Sequence, residues 1–430
     1  EVKQPVPVVM RRARAAFSAA GLDDLGLKWK PGGGPGKAYD ILKDKNLAKS
    51  RPIVAGYDCP WEGLDNAAAR ALNYIRATTR GLDTFELATP TDLAATVAEI
   101  NTSLNHRTCF PNPDHLDHNR SLTLLDVKDG YTNLDHGDIR TAVRDLLARS
   151  VAQHRHRRYI SVPKRGCAEK CAIHFGRTYA PESFVQFSMD SLFAALSFTL
   201  DHTYILLGDT LLRQTKGVGM GTASSPAIFN TVCAYYEHRS LSRLSPGLRS
   251  RIHGCRYCDD LLLVVDARDR LAARLRAKIK YAPSMSLESS VPADATRATW
   301  LKYLEGEVRL NQYGHLLCRP LVHGAIPALT TGSIPNHRLQ HFRSYVPRQL
   351  KHATVTGAVA RFSGYMMPTF RPLQSAVCTL QLLSVLRAEG YPPIFLHQAF
   401  CSDSISARLP LEVHKLVLFI INAWRRPSIQ

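Results

Sequence analysis

The sequence predicts an α+β fold of two or three lobes, and three observations carry that expectation. A chain of 430 residues with 45% hydrophobic content is long enough to bury a large core and too long for one compact unit. Between Ser121 and about Arg319, β-like runs such as SLTLLDV and DDLLLVV alternate with helical patterns such as IRTAVRDLLARSVAQH and SPAIFNTVCAYYEH. From about Pro320 onward the chain is basic, broken by prolines and mostly helical, as in VPRQLKHATVTGAVARF and LQSAVCTLQLLSVLRAEGY.

In chain order, MRRARAAFSAAG reads as a helix with a basic face; the remnant of an Arg- and Ala-rich transit peptide is the other reading. Lys28 to Pro60 is rich in Gly, Pro and Lys and reads as loops and short strands carrying positive charge. Lys plus Arg outnumber Asp plus Glu by 55 to 36, a formal charge of +19, which favours a polyanionic partner bound in a salt-dependent way. Nucleic acid leads, and an anionic membrane surface is the weaker option. The longest apolar stretches, such as LVLFIINAW, fall short of the roughly 20 residues of a spanning helix, so no segment is expected to span a bilayer; with nucleic acid in the lead, no membrane is expected among the partners. Ten scattered cysteines argue for a reducing, intracellular compartment without disulfides.

The chemistry is concentrated in acidic residues beside apolar runs. In RYCDDLLLVV, Asp259 and Asp260 precede a run that reads as one strand of a hairpin, with GCRY as the other. In SLTLLDVKDGYTNLDH, Asp126 ends a similar run and Tyr131 follows five residues later. Two strand ends can converge, and three converging carboxylates stay ionised most readily around divalent cations. Oxygen-only ligation with room for phosphates suits a pair of Mg²⁺ ions, about 3.5–4 Å apart in two-metal phosphoryl transfer. Taken alone, Asp-Asp at a hairpin tip is more often a solvated turn.

With its neighbours, YCDD after DVKDGY resembles the palm motifs of reverse transcriptases. QTKGVGMGTASSPAIFN, between them, is similar to the family's Gly-rich turn leading through Ser-Pro into a helix. Gln214, Gly217, Met220, Gly221, Thr222 and Pro226 match the pattern of the Penelope-like reverse transcriptases, relatives of telomerase. YLEGEVRLNQYGHLLCRP resembles their following strand and hairpin, with Glu305 in place of Asp, and the C-terminal helices resemble their thumb. The likeness runs from about Ala38 to about Phe400.

That resemblance implies a right-hand polymerase fold with fingers, a palm built on an antiparallel sheet, and a helical thumb. Residues 1–118 would be the N-terminal segment and fingers, 119–318 the palm with inserted finger and helical elements, and 319–430 the thumb. It implies an RNA-directed DNA polymerase, an enzyme extending a primer 3′-hydroxyl with dNTPs on an RNA template. Asp126, Asp259 and Asp260 would be catalytic and, with the Val127 carbonyl, would bind two Mg²⁺. Tyr131 would exclude a ribose 2′-hydroxyl, Lys43 and Arg51 would clamp the triphosphate, and the Met220–Gly221 turn would approach the nascent base pair.

Arg155, Arg157 and Arg158 in HRHRR, with Lys164 and Arg165 in VPKRGCAEKC, suit phosphate-backbone contact. Cys167, Cys171 and His174 are three residues of zinc-ligand type without a convincing fourth nearby. In CRYC, the cysteines have zinc-like spacing but read as strand packing in the hairpin.

Many Penelope-like proteins carry a GIY-YIG endonuclease, and nothing in this sequence resembles one. A rival reading is a domesticated descendant that serves as a structural RNA-binding subunit of a large ribonucleoprotein, such as an organellar ribosome, among other proteins. Nuclear localisation follows from the resemblance and mitochondrial localisation from the rival.

Overall fold

The computed structural model describes residues 1–43, 46–105, 120–128, 130–154, 157–166, 172–178, 181–267, 269–296, 298–334, 339–367 and 372–425. The chain divides into two compact units, each assembled from separate stretches of sequence. The first holds Glu1–Glu86, Asp126–Arg249 and Ala277–Glu288; the second holds Leu87–Leu125, Ser250–Arg276 and Ser289–Gln430.

Among the described residues, fourteen strands follow along the chain. They are β1 (Gly36–Lys43), β2 (Asn46–Ala55), β3 (Arg120–Lys128), β4 (Tyr159–Pro163), β5 (His174–Phe175), β6 (Phe184–Ser188), β7 (Tyr204–Leu207), β8 (Thr210–Arg213), β9 (Ile252–Tyr257), β10 (Asp260–Asp266), β11 (Ser286–Ser289), β12 (Leu301–Tyr303), β13 (Gly306–Leu310) and β14 (Leu316–Pro320).

In the first unit, β2-β1-β7-β8 form one sheet and β5-β4-β6 another. The stretch predicted as loops and short strands instead makes a long antiparallel pair, with 8 residues in β1 and 10 in β2. Pro52 misled that expectation, because proline breaks central strands; β2 lies at the sheet edge, where a missing N–H is tolerated. Leu64, Ala68, Ala71, Leu72 and Ile75 give the Glu62–Thr78 helix one buried face at helical spacing. The His136–Gln153 helix starts at Asp135, whose carboxylate accepts from the N–H groups of Gly137 and Asp138 at 2.7 and 3.2 Å. Both helices pack on the Ser224–Leu241 helix, which buries small and apolar side chains on most of its circumference.

In the second unit, β9 and β10 form the antiparallel hairpin expected from GCRY and LLLVV, with Tyr257 opposite Asp260. These strands belong to a sheet of order β11-β3-β10-β9. Leu261 to Val265 are fully buried, as a central strand covered on both faces requires. The Leu93–Asn105 helix lays Leu93, Val97, Ile100 and Leu104 on a core that includes Leu124, Leu262, Val264, Val308 and Leu316. The Asn101 side chain locks it to β14, donating to the Leu316 carbonyl and accepting from the Leu316 N–H, both at 2.8 Å. Helices Arg348–Ser363, Pro372–Ala388, Pro393–Phe400 and Leu411–Arg425 surround their own core of Val359, Leu383, Phe400 and Ile421. Among the described residues no helix is long and apolar enough to cross a membrane.

Candidate active site

Cys258 and Asp259 form the two-residue turn between β9 and β10. Cys258 has φ 53, a conformation that in two-residue hairpin turns favours glycine. A cysteine there is held against its preference. Two buried groups of the same unit hold it. Arg256, fully buried, donates from Nη1 to the Cys258 carbonyl at 2.8 Å. The Tyr303 hydroxyl donates to the carbonyls of Cys255 and Asp260 at 3.0 and 3.2 Å. Burial pushes the Tyr303 hydroxyl well up from its ordinary range, with Cys255 beside it adding to the effect, so it remains a donor. Asp259 and Asp260 are half-buried, one in the turn and one opening β10.

Asp126 lies near the end of β3, half-buried, and the Val127 side chain beside it is buried. β3 is the hydrogen-bonded neighbour of β10. Arg120, first in β3, places Nε 3.7 Å from Oδ1 of Asp266, last in β10, so the two strands run in opposite directions. Asp126 stands six residues along β3 from Arg120, and Asp260 six residues back along β10 from Asp266.

The Gly-rich turn is tied on two sides within the first unit. Gly217 and Val218 donate their N–H groups to the carbonyls of Leu134 and Tyr131, both at 2.7 Å. The Val54 N–H of β2 donates to the Met220 carbonyl at 2.7 Å. Gly221 has φ 118, and a Cβ there would lie 2.7 Å from the Val54 carbonyl oxygen, so only glycine fits. Tyr131 stacks on Phe229, with centroids 4.5 Å apart and an interplanar angle of 12°. The backbone of Tyr131 is thus tied to Val218 in the turn that carries Met220 and Gly221, and those two residues lie against β2. Arg51 is exposed on β2, about 10 Å along the strand from Val54. Lys43 closes β1, and its side chain lies outside the described residues.

Among the basic candidates, Arg157 and Arg158 are exposed before β4, and Arg155 lies outside the described residues. Lys164 and Arg165 follow β4; the Lys164 N–H donates to the Ser183 carbonyl at 2.8 Å, and Arg165 donates to Asn66 Oδ1 at 2.8 Å. Cys167 and Cys171 also lie outside the described residues, and His174 in β5 packs edge-on to Phe184. Among the described residues, no three His, Cys, Asp or Glu side chains are grouped as a metal site. In CRYC, Cys255 packs in the strand as expected, its thiol pushed up to about 12 by burial, whereas Cys258 is the turn residue.

Sequence reasoning missed Arg256, Tyr303 and Asp65. Asp65, buried in the Glu62–Thr78 helix, accepts the Ser224 N–H at 3.1 Å and so caps the helix that follows the Gly-rich turn. Pro226, in that helix's first turn, needs no such partner because it has no N–H.

The structure is similar to apo telomerase from Candida tropicalis, at 10% identity over 91% of this chain and 68% of that chain, with a TM-score of 0.50. This is a right-hand polymerase fold. Telomerase from Candida albicans in complex with the TWJ fragment of telomeric RNA gives 10% identity, 95% and 68% coverage and a TM-score of 0.48. The Sicinivirus 3Dpol RNA-dependent RNA polymerase gives 10%, 94% and 72%, and 0.44. No family model matches the chain, and no curated protein does. The YCDD hairpin and β3 lie in one sheet, and the C-terminal helices form a separate core.

Proposed function

We propose that the protein is an RNA-directed DNA polymerase of the reverse transcriptase type, akin to those of Penelope-like elements, that extends a primer 3′-hydroxyl on an RNA template with dNTPs. The observation that supports this best is the sheet order β11-β3-β10-β9. In that sheet β3 is the neighbour of β10, Asp126 lies near the end of β3, and Asp259 and Asp260 lie just before and at the start of β10, the strand positions at which the resemblance expects the three carboxylates.

By donor type the set suits Mg²⁺, since Asp126, Asp259, Asp260 and the Val127 carbonyl offer only hard oxygens, while the three carboxylates are not grouped as a metal site in this structure and bound cations would have to draw them together. When bound, two such ions would neutralise triphosphate charge and lower the pKa of the primer hydroxyl. Carboxylates alone repel one another, so the chain's part is to hold their strands rigid until cations arrive. Tyr131, braced by Phe229, would wall off a 2′-hydroxyl by bulk. The turn at Met220 and Gly221 would face the nascent pair with bare backbone, and Arg51 and Lys43 would meet the phosphates.

Primer extension tests the reading, with purified protein, an RNA template, a DNA primer, dNTPs and Mg²⁺, beside Asp259→Ala. Magnesium-dependent extension that the variant loses is expected. Template binding without extension, equal in both proteins, would assign a structural RNA-binding role instead.

A further inference from the structure

The C-terminal end of the Ser224–Leu241 helix opens on a pocket of about 530 Å³, within the range of ligand pockets. Arg239, Arg243, Lys278 and Lys280 surround it, all exposed, with Tyr236 and Ser240 in its wall. Two stretches far apart in sequence supply these cations, and Ser240 joins them. Its hydroxyl donates to the Lys280 carbonyl at 3.2 Å and accepts the Lys280 N–H at 3.1 Å.

No carboxylate lines the pocket, and among the described residues none pairs with any of the four cations. The acids nearby are engaged elsewhere. Asp138 accepts from the Tyr236 hydroxyl at 2.8 Å, and the buried Glu237 accepts from the Tyr281 hydroxyl at 2.5 Å and the Phe85 N–H at 3.1 Å. A cation in the last turn of a helix offsets the negative pole there, which accounts for Arg239. Arg243, Lys278 and Lys280 lie outside that helix. These three cations, with Arg239 beside them around one concavity, repel each other until an anion joins them.

We propose that this pocket is a second nucleic-acid contact, which holds phosphodiester groups of a strand about 24 Å along the helix from the Gly-rich turn. The formal charge of +19 favours a strand over a lone anion, and cations that meet phosphate read no sequence. The site does not depend on catalysis, since a polymerase and a structural RNA-binding protein would use it alike.

The full-length protein is titrated with fluorescein-labelled single-stranded RNA of mixed sequence at several salt concentrations, beside the double variants Lys278→Gln/Lys280→Gln and Arg239→Gln/Arg243→Gln. Each pair is expected to weaken binding about three- to tenfold and to reduce the slope of log affinity against log salt by about 1.4. Photoreactive thiouridine in the RNA should crosslink between Tyr236 and Leu248 or between Lys278 and Pro283. Unchanged affinity and slope with adducts confined elsewhere would overturn the proposal. So would protection of Lys278 and Lys280 from acetylation by ATP but not by RNA, which would make this a small-nucleotide site. Should a variant melt below wild type, the protection measurement on unaltered protein decides. Extension and its loss in Asp259→Ala are scored separately, so failure of the catalytic reading leaves this result interpretable.

Discussion

Arg256 Nη1 donates to the Cys258 carbonyl at 2.8 Å, joining a guanidinium without solvent exposure to the one residue of the β9–β10 turn with positive φ. A non-glycine residue in that conformation costs about 1–2 kcal/mol. Cys258→Gly is therefore expected to raise stability by up to about 1 kcal/mol, and Cys258→Val to lower it by about 1–3 kcal/mol. Urea denaturation of both variants checks this; a valine variant as stable as wild type would remove the strain argument.

Tyr303→Phe deletes the hydroxyl shared by the Cys255 and Asp260 carbonyls while keeping the ring in the core. The expected loss is about 1–2 kcal/mol. If the hairpin carries catalysis, kcat should fall further than KM rises, because the aspartates lose their alignment. Denaturation and steady-state extension measured together separate the two effects.

Gly221→Ala places a Cβ against the Val54 carbonyl in a backbone conformation that alanine avoids. A loss of about 2 kcal/mol or more is expected, with Gly34→Ala, where a Cβ meets nothing, as the control. Thermal melting of the two proteins compares them directly.

Burial raises the Asp65 carboxyl above its ordinary value, while the bonds from Ser224 and Ala223 oppose the shift. The folded chain thus keeps this proton to higher pH than the unfolded chain. The associated stability is full below the ordinary carboxylate value and is lost as pH rises through the raised one. Asp65→Asn keeps an acceptor for the Ser224 N–H and should flatten that part of the pH–stability curve. Asp65→Ala should cost about 1–2 kcal/mol through loss of the cap. Guanidinium midpoints across mildly acidic to neutral pH distinguish the three proteins.

The YCDD hairpin was legible because its signals are local: an acidic turn between two apolar runs. The Ser224–Leu241 helix was likewise announced by Ser-Pro after glycines. The supports were not legible, because their partners are remote in sequence. Tyr303 meets Asp260 across 43 residues, and Asp65 meets Ser224 across 159. Arg256 is one of 55 Lys and Arg residues in the sequence, and nothing local to it marks it as the one buried behind the hairpin turn. The β1–β2 pair was obscured by Pro52, whose tolerance depends on an edge that only the sheet order reveals.

The side-chain clamp between Asn101 and Leu316 spans 215 residues. During synthesis the Leu93–Asn105 helix therefore emerges long before the strand that covers its apolar face. Such delayed pairing slows folding and leaves sticky surface open in the growing chain. Fragments that end before β14 should accordingly leave that face uncovered and aggregate.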